Sequence, residues 1–447
     1  MEADKKRLKP FPPYWDAPLW YELSGPVYQE PSLKGNEVSD ILIIGGGFTG
    51  LSCAYELKRR FKDKRILLVD AYMVGSGASG RNGGLMLNGL ASQDLFPCEI
   101  EAKIYLSTMA TIKEICEIIQ RHGIKTAYGL SGTLSVFTNH RSSEMAQRYV
   151  EKMNSLGLPI RYLYSHELKN ILPMEGVVGA VLDPYSGHLN GLGYLLGLKG
   201  YLKSNGVRIY EYSPALRILE GKELKVIFPH GEIKSKAIML ATNAYTPSLG
   251  YFKREIMAIE HHVTAARLPH EQIERFNVSG FDDDRSPLSY GTFLPEGYVI
   301  FGGGTTCSVE YHLWNRLALK NNQKDLPKVM EATKKAFVSY FPKLRNLSFD
   351  HIWSGPIALT PNRMPLMGIT GEYGNIYYAL GYNGHGVTLA NLGGKVMADL
   401  YCGNTAKWQD LSFVNAQSKR FPPDPIKYVG FNLYWKVFKK IPRFFAH

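Results

Sequence analysis

Long apolar runs are missing from this 447-residue chain: nothing in it reaches the roughly 18 consecutive apolar residues of a membrane-spanning helix. Cysteine is scarce too. The five present, Cys53, Cys98, Cys116, Cys307 and Cys402, are odd in number and scattered, with no C-x-x-C spacing. That argues against a disulfide framework and a zinc site, and leads us to expect reduced, mostly buried thiols and a cytoplasmic protein. Residues 1–37 are polar and rich in proline and aromatics, so the apolar segment of a signal peptide is also lacking. Acidic residues are outnumbered, 40 against 52 lysines and arginines, for a net charge of +12. Part of the excess lies at the ends, at Lys5, Lys6, Arg7 and Lys9 and at Lys427, Lys436, Lys439, Lys440 and Arg443. Such a balance attracts nucleic acid, anionic lipid or an acidic substrate, or simply keeps the chain soluble. With 45% hydrophobic and 21% charged residues, the composition is that of a globular protein, and the length suggests two or three domains.

What is present is concentrated between Asp40 and Arg81. The apolar run Ile41-Leu-Ile-Ile44 leads into Gly45-Gly-Gly47-Phe-Thr-Gly50, an amphipathic segment follows, and a second apolar run ends at Asp70. Strand, G-x-G-x-x-G, helix and an acid about twenty residues on form a dinucleotide fingerprint. Gly45 permits the turn out of the strand, Gly47 lets amides approach a pyrophosphate, and Gly50 lets the helix pack on the sheet. Asp70 is placed to accept hydrogen bonds from a ribose. A second strand, glycine turn and helix occur at Asn375 to Tyr401, around Gly381-Tyr-Asn-Gly384-His385-Gly386.

Elsewhere the pattern predicts helices at Cys98 to His122, from Ile100, Ile104, Met109, Ile112, Ile115 and Ile119, at Ser142 to Leu156, and up to about Asn205. Strands are predicted at 134–137, 206–210, 224–228 and 237–241. Residues 1–37 read as an arm that packs its aromatics, including Phe11, Trp15, Trp20 and Tyr21, on the main body.

Six blocks together resemble the FAD-dependent D-amino-acid oxidase and glycine/sarcosine oxidase superfamily, with the γ-glutamylputrescine oxidase-like branch nearest. They are Ile43 to Gly50, Gly77-Ala-Ser-Gly-Arg-Asn-Gly-Gly84, Asp183-Pro-Tyr-Ser-Gly-His-Leu-Asn190, Ala241-Thr-Asn-Ala-Tyr245, Trp353 to Thr360 with Pro365-Leu-Met-Gly368, and Gly381 to Gly386. The resemblance implies an α/β fold: a Rossmann-like, doubly wound FAD-binding domain built from discontinuous segments, and an α+β substrate domain with a large antiparallel sheet. The ranges it suggests are an arm at 1–37, the FAD domain at 38–97, 174–250 and 346–403, the substrate domain at 98–173 and 251–345, and a basic-aromatic tail at 404–447.

Carried over, the resemblance puts Gly45, Gly47 and Gly50 at the pyrophosphate and Asp70 at the ribose. It puts Ser79, Arg81, Asn82, Gly83 and Gly84 along the ribityl chain and flavin edge, and Ala215 near the adenine. Gly381, Tyr382, Gly384, His385 and Gly386 would meet the flavin pyrimidine, and Phe48, Thr49, Ala71, Ala241, Thr242 and Gly355 complete the expected cofactor contacts. Arg81 would contact cofactor or pair with a carboxylate. Relatives that attach flavin covalently use a cysteine where this chain has Gly355, or a histidine near 77–84, where it has none; FAD is therefore expected to be non-covalent. The implied chemistry is oxidation of an amine or amino acid by hydride transfer to flavin N5, with hydrolysis of the imine and no metal. Catalytic candidates are His385, Tyr290, Tyr298 and His261. His261 and His262 should point to opposite faces of their strand. His188 is expected to pack, and Trp353 to belong to pocket or core. The strand 298–304 lacks the lysine of oxygen-reactive relatives, so oxygen and a quinone or protein acceptor both stay open.

Two further readings remain: a flavin-binding scaffold without turnover, and a tRNA-modifying oxidoreductase, although nucleic acid is disfavoured because the body carries no basic stripe. Residues 428–447 alternate large apolar and basic side chains. On a helix, Phe431, Tyr434, Trp435 and Phe438 share a face that suits an anionic membrane surface, on the inner side of a membrane, or docking on the protein itself.

Overall fold

The computed structural model describes residues 18–90, 98–273, 276–311, 313–315 and 326–438. Phe11, Trp15 and the end of the basic tail, 439–447, lie outside the described residues. The expected βαβ unit comes first: β1 (Glu37–Ile44), α1 (Phe48–Arg60) and β2 (Ile66–Val69). Next are α2 (Cys98–Arg121), β3 (Thr133–Phe137), α3 (His140–Ser155), β4 (Gly179–Asp183), α4 (Gly191–Ser204), β5 (Arg208–Tyr210) and β6 (Gly231–Leu240). The second half supplies β7 (Met257–Arg267), β8 (Gly280–Asp283), β9 (Ser289–Leu294), β10 (Tyr298–Gly303), β11 (Phe349–Leu359) and β12 (Ile376–Leu380). Two helices follow, α5 (Gly386–Tyr401) and α6 (Ile426–Phe438).

Strands β5, β2, β1, β6 and β12 form the parallel centre of an eight-stranded sheet. Its strands read as unbroken apolar runs because both faces are covered. Alternation then sorts each strand between two cores: Ile41 and Ile43 pack beneath the helices with Leu51 and Leu195, while Leu42 and Ile44 pack on the far side with Leu224 and Ile238. The chain runs from β1 to β2 on one side and returns as β6 on the other, so the order reverses beside β1. Ligands of doubly wound sheets bind in the crevice at the carboxyl ends of the strands at such a reversal.

The second sheet has nine strands and is largely antiparallel. β7 is its long central strand, paired with β11 along one edge and with β10 along the other. β9, β8, β3 and β4 continue outward from β10. The fold class is therefore the expected one, a discontinuous Rossmann-like unit beside a large antiparallel sheet.

The expected segment ranges need correction. β4 lies in 174–250 and β11 in 346–403, yet both pair in the large sheet. Conversely α2, placed with 98–173, buries Ile104, Ile112, Ile115 and Ile119 in the core under the parallel sheet. Helical spacing identifies an apolar face but carries no information on which sheet will cover it. The arm behaves as expected where described: Leu19 and Trp20 are fully buried, and the Trp20 indole donates to the Asn82 carbonyl at 2.8 Å.

The tail differs from the membrane reading. Phe431 and Trp435, expected on a lipid-facing side, are 1% and 3% exposed, packed on Met257, Ile259, Val309 and Tyr311. The other face of α6 carries the exposed apolar residues Ile426, Val429 and Leu433. Among the described residues, no helix is long and apolar enough to cross a membrane.

Candidate functional site

A cavity of about 1470 Å³ runs from the carboxyl ends of β1 and β2 to the face of the large sheet. At its first end the chain leaves β1 at Gly45 with φ of 111°, a conformation side chains disfavour. A Cβ on Gly50 would lie 1.9 Å from the Gly45 carbonyl oxygen, so only glycine lets α1 approach the strand this closely. The α1 N-terminus opens into the cavity, and its N-cap residue, Gly47, has no side chain with which to cap it. Ser79 accepts the Phe48 amide at 3.0 Å, joining the Gly77–Gly84 segment to this turn.

Asp70 accepts the amides of Gly46 at 2.7 Å and Tyr72 at 2.8 Å. Burial outweighs these bonds and pushes its carboxyl up to about 6.

The second turn closes the opposite wall. Gly384, His385, Gly386 and Val387 line the cavity at the N-terminus of α5, which again lacks a side-chain cap. Two helix N-termini whose N-cap residues make no side-chain cap are directed into one elongated cavity and offer amides and positive dipole ends to anionic groups. Asn383, which sequence reasoning passed over, holds this turn: its Oδ1 accepts the Thr360 amide at 2.8 Å and its Nδ2 donates to the Gly381 carbonyl at 2.7 Å. Its φ of 53° is tolerated better by asparagine than by most residues, and that preference was the available signal. Burial lowers the His385 imidazole to about 4, so it is neutral near pH 7.

Most expected contact residues line this cavity: Gly45, Gly47, Phe48, Thr49, Asp70, Ala71, Ser79, Arg81, Asn82, Gly83 and Gly84 do so from the first half of the chain. Ala215 does so as well, and Ala241, Thr242, Gly355, Tyr382, Gly384, His385 and Gly386 do so from the second half. Gly50 does not, because it serves the contact of helix and strand. Gly381 does not either: its amide donates to Asn243, and a Cβ there would meet Thr360 rather than the cavity. Arg81 is 3% exposed, and its Nε donates to the Ser354 carbonyl.

The sheet face brings in His261 and Tyr290, with ring centroids 5.8 Å apart. Burial, with a smaller contribution from His262, lowers His261 to about 3. His262 points away, as period-two alternation requires, and is 8% exposed. Tyr298 is not in the cavity; register sets it opposite Arg267 near the sheet end, where it meets the Arg267 guanidinium and the His351 ring. Trp353 is fully buried and His188 bonds Ser279, so both are packing residues.

Cross-strand pairing runs Ser135, Asp282, Tyr290 and Gly302 in one row across β3, β8, β9 and β10. A Cβ on Gly302 would come within 2.4 Å of the Tyr290 ring, and one on Gly83 equally so. The phenol is thus wedged between the sheet and the Gly-rich segment. Sequence reasoning found Tyr290 but missed Asp282 and Ser135, as well as Met145 and Tyr149 of α3, which also face the cavity. Isolated polar residues on strands give no signal until the strands are in register.

Glycine turns at two helix N-termini, an acid at the end of the second strand and a covering antiparallel sheet define a dinucleotide-dependent flavoenzyme. The chain matches the DAO family model, FAD dependent oxidoreductase, over residues 40–400 and belongs to that family. FAD is accordingly its cofactor, and the two helix N-termini, Asp70 and the elongated cavity fit it. The chain is 30% identical over 394 residues to a probable oxidoreductase, OrdL, of Haemophilus influenzae, covering 84% of this chain and 86% of that protein. It is 28% identical to the gamma-glutamylputrescine oxidoreductase of Escherichia coli, covering 88% and 89%. Among solved structures, L-proline dehydrogenase from P. horikoshii aligns with a TM-score of 0.71 at 22% identity over 85% of this chain and 97% of that one. Glycine oxidase from Bacillus cereus aligns at 0.68 and 21% over 82% and 97%. These favour an enzyme over a scaffold or a tRNA-modifying protein.

Proposed function

We propose that the chain oxidises the C–N bond of an amine or amino acid to an imine, which water then hydrolyses. The observation that carries this reading is the continuity of one cavity from the Gly45–Asp70 cradle to a sheet face bearing Tyr290 and His261. Its relatives' names, gamma-glutamylputrescine oxidoreductase and glycine oxidase among them, point to the same substrate class. Bound FAD supplies the hydride acceptor, at N5.

The chain's own residues do the rest. The amides at the α5 N-terminus would stabilise negative charge on a flavin held there. Burial keeps His261 and His385 neutral, so each offers both a donor and an acceptor nitrogen. The Tyr290 ring, held between Gly83 and Gly302, forms an apolar wall against which a substrate C–H is oriented and from which water is excluded. Cavity lining by glycines, and by no cysteine among the described residues, supports non-covalent FAD.

The deciding experiment is anaerobic titration of the holoprotein with a panel of amines and amino acids. Bleaching of the flavin by at least one is expected, and no bleaching by any would sink the reading. Readmitting oxygen or adding a quinone then identifies the acceptor.

A further inference from the structure

The sheet face beside His261 ends against the last helix. Register sets Val309, of the short strand Val309–Tyr311, opposite His261 on one side, and Gly355 of β11 opposite it on the other. One row along, Ile259 lies between Tyr311 and Ile357 in the same way. Residues two apart on a strand share a face, so the row at Ile259 adjoins the row that holds His261. Ile259, Val309 and Ile357 all line the main cavity, and so does Trp435 of α6.

Trp435 enters this wall as a fixed part of it. It packs in one cluster with Ile259, Val309 and Phe431 and is almost fully buried. Its indole N–H donates to the Thr306 carbonyl at 2.9 Å, which uses the ring's one polar atom and leaves carbon to face the cavity. The start of α6 is pinned as well: Asp424 accepts the Tyr311 hydroxyl at 2.8 Å, and the buried Lys427 ammonium lies 3.5 Å from the same carboxylate. Helix α6 lies beyond residues 40–400, the span that matches the family, so this wall comes from a different part of the chain than the cofactor cradle.

We propose that Trp435 is a specificity-determining residue: an apolar substituent of the substrate amine lies against its indole and the side chains of Ile259, Val309 and Ile357, while the C–N bond is presented beside His261 and Tyr290. Burying a carbon chain on this wall raises affinity by about three- to fourfold per methylene until the chain meets the indole. The inference rests on the amine reading of the main cavity and extends it to amines whose far end is apolar.

The test uses the FAD-loaded protein and a series of primary n-alkylamines of two to eight carbons. Binding is read anaerobically from the perturbation of the oxidised flavin spectrum, which needs no turnover, and reduction from its bleaching. Affinity should climb by about three- to fourfold per methylene to an optimum length and then fall. Trp435→Ala should move that optimum to chains longer by about two carbons, because it removes the end wall. Ile357→Phe, which fills the same space from the sheet, should move it to shorter ones.

No perturbation by any amine, or an affinity that does not rise with chain length in the wild type, overturns the inference, even if the flavin is reduced. A Trp435→Ala protein that binds every amine more weakly but keeps the wild-type optimum also overturns it, since lost packing alone would do that. Should the Ala variant fail to hold FAD, the shift in Ile357→Phe decides. Length-dependent binding without bleaching would leave this wall standing while removing the proposed oxidation.

Discussion

The hydroxyl groups of Thr49 and Tyr382 lie 2.7 Å apart in the buried seam between the two glycine turns. Thr49 belongs to the first turn of α1 and Tyr382 to the loop entering α5, so one hydrogen bond ties the turn expected at the pyrophosphate to the turn expected at the flavin. Close packing at Gly393 and Gly394, where a Cβ would meet Tyr382 Oη at 2.8 Å and Thr49 O at 2.5 Å, keeps the two helices in that relation. Tyr382→Phe leaves a buried threonine hydroxyl unpaired and should cost about 1–2 kcal/mol. We expect a lower melting temperature and several-fold weaker FAD binding, measured by thermal unfolding and flavin fluorescence. Unchanged FAD affinity would show that the seam does not couple the turns.

Gly302 makes room for the Tyr290 ring. Gly302→Val should displace the phenol, and with it the contact to Gly83, while leaving the Gly45–Asp70 cradle in place. The expected result is retained FAD binding with at least about a tenfold loss in the rate of anaerobic reduction, consistent with a small misplacement of the reacting groups. A variant that reduces at the wild-type rate would remove Tyr290 from the substrate wall.

FAD affinity should depend on pH through Asp70. Its carboxyl sits near 6 before the cofactor binds, and ribose hydroxyls donate to the ionised form, so binding lowers its pKa. Affinity should therefore be flat above about pH 7 and fall as pH drops through 6, by up to about tenfold per unit. Asp70→Asn should bind more weakly at neutral pH and lose this slope. Isothermal titration between pH 5 and 8 reads both.

Acid precipitation should release all of the flavin into the supernatant, because no cysteine occupies the position of Gly355 or lines the cavity among the described residues. Yellow colour retained in the washed pellet would reveal a covalent bond.

By itself the sequence determined the local half of this protein. The β1, α1 and β2 unit, Asp70 and the turn at Gly384 to Gly386 are legible because each depends on residues close together in the chain, whose backbone demands only certain side chains can meet. Tertiary structure decided the rest. β4 and β11 join the large sheet, Tyr298 falls away from the cavity although Tyr290 enters it, and Phe431 and Trp435 turn inward, because pairing and register link residues that spacing cannot relate. The wall of Ser135, Asp282 and Tyr290 is assembled from three strands separated by up to about 150 residues. That row of residues existed only once those strands lay side by side, which no spacing along the chain could have shown.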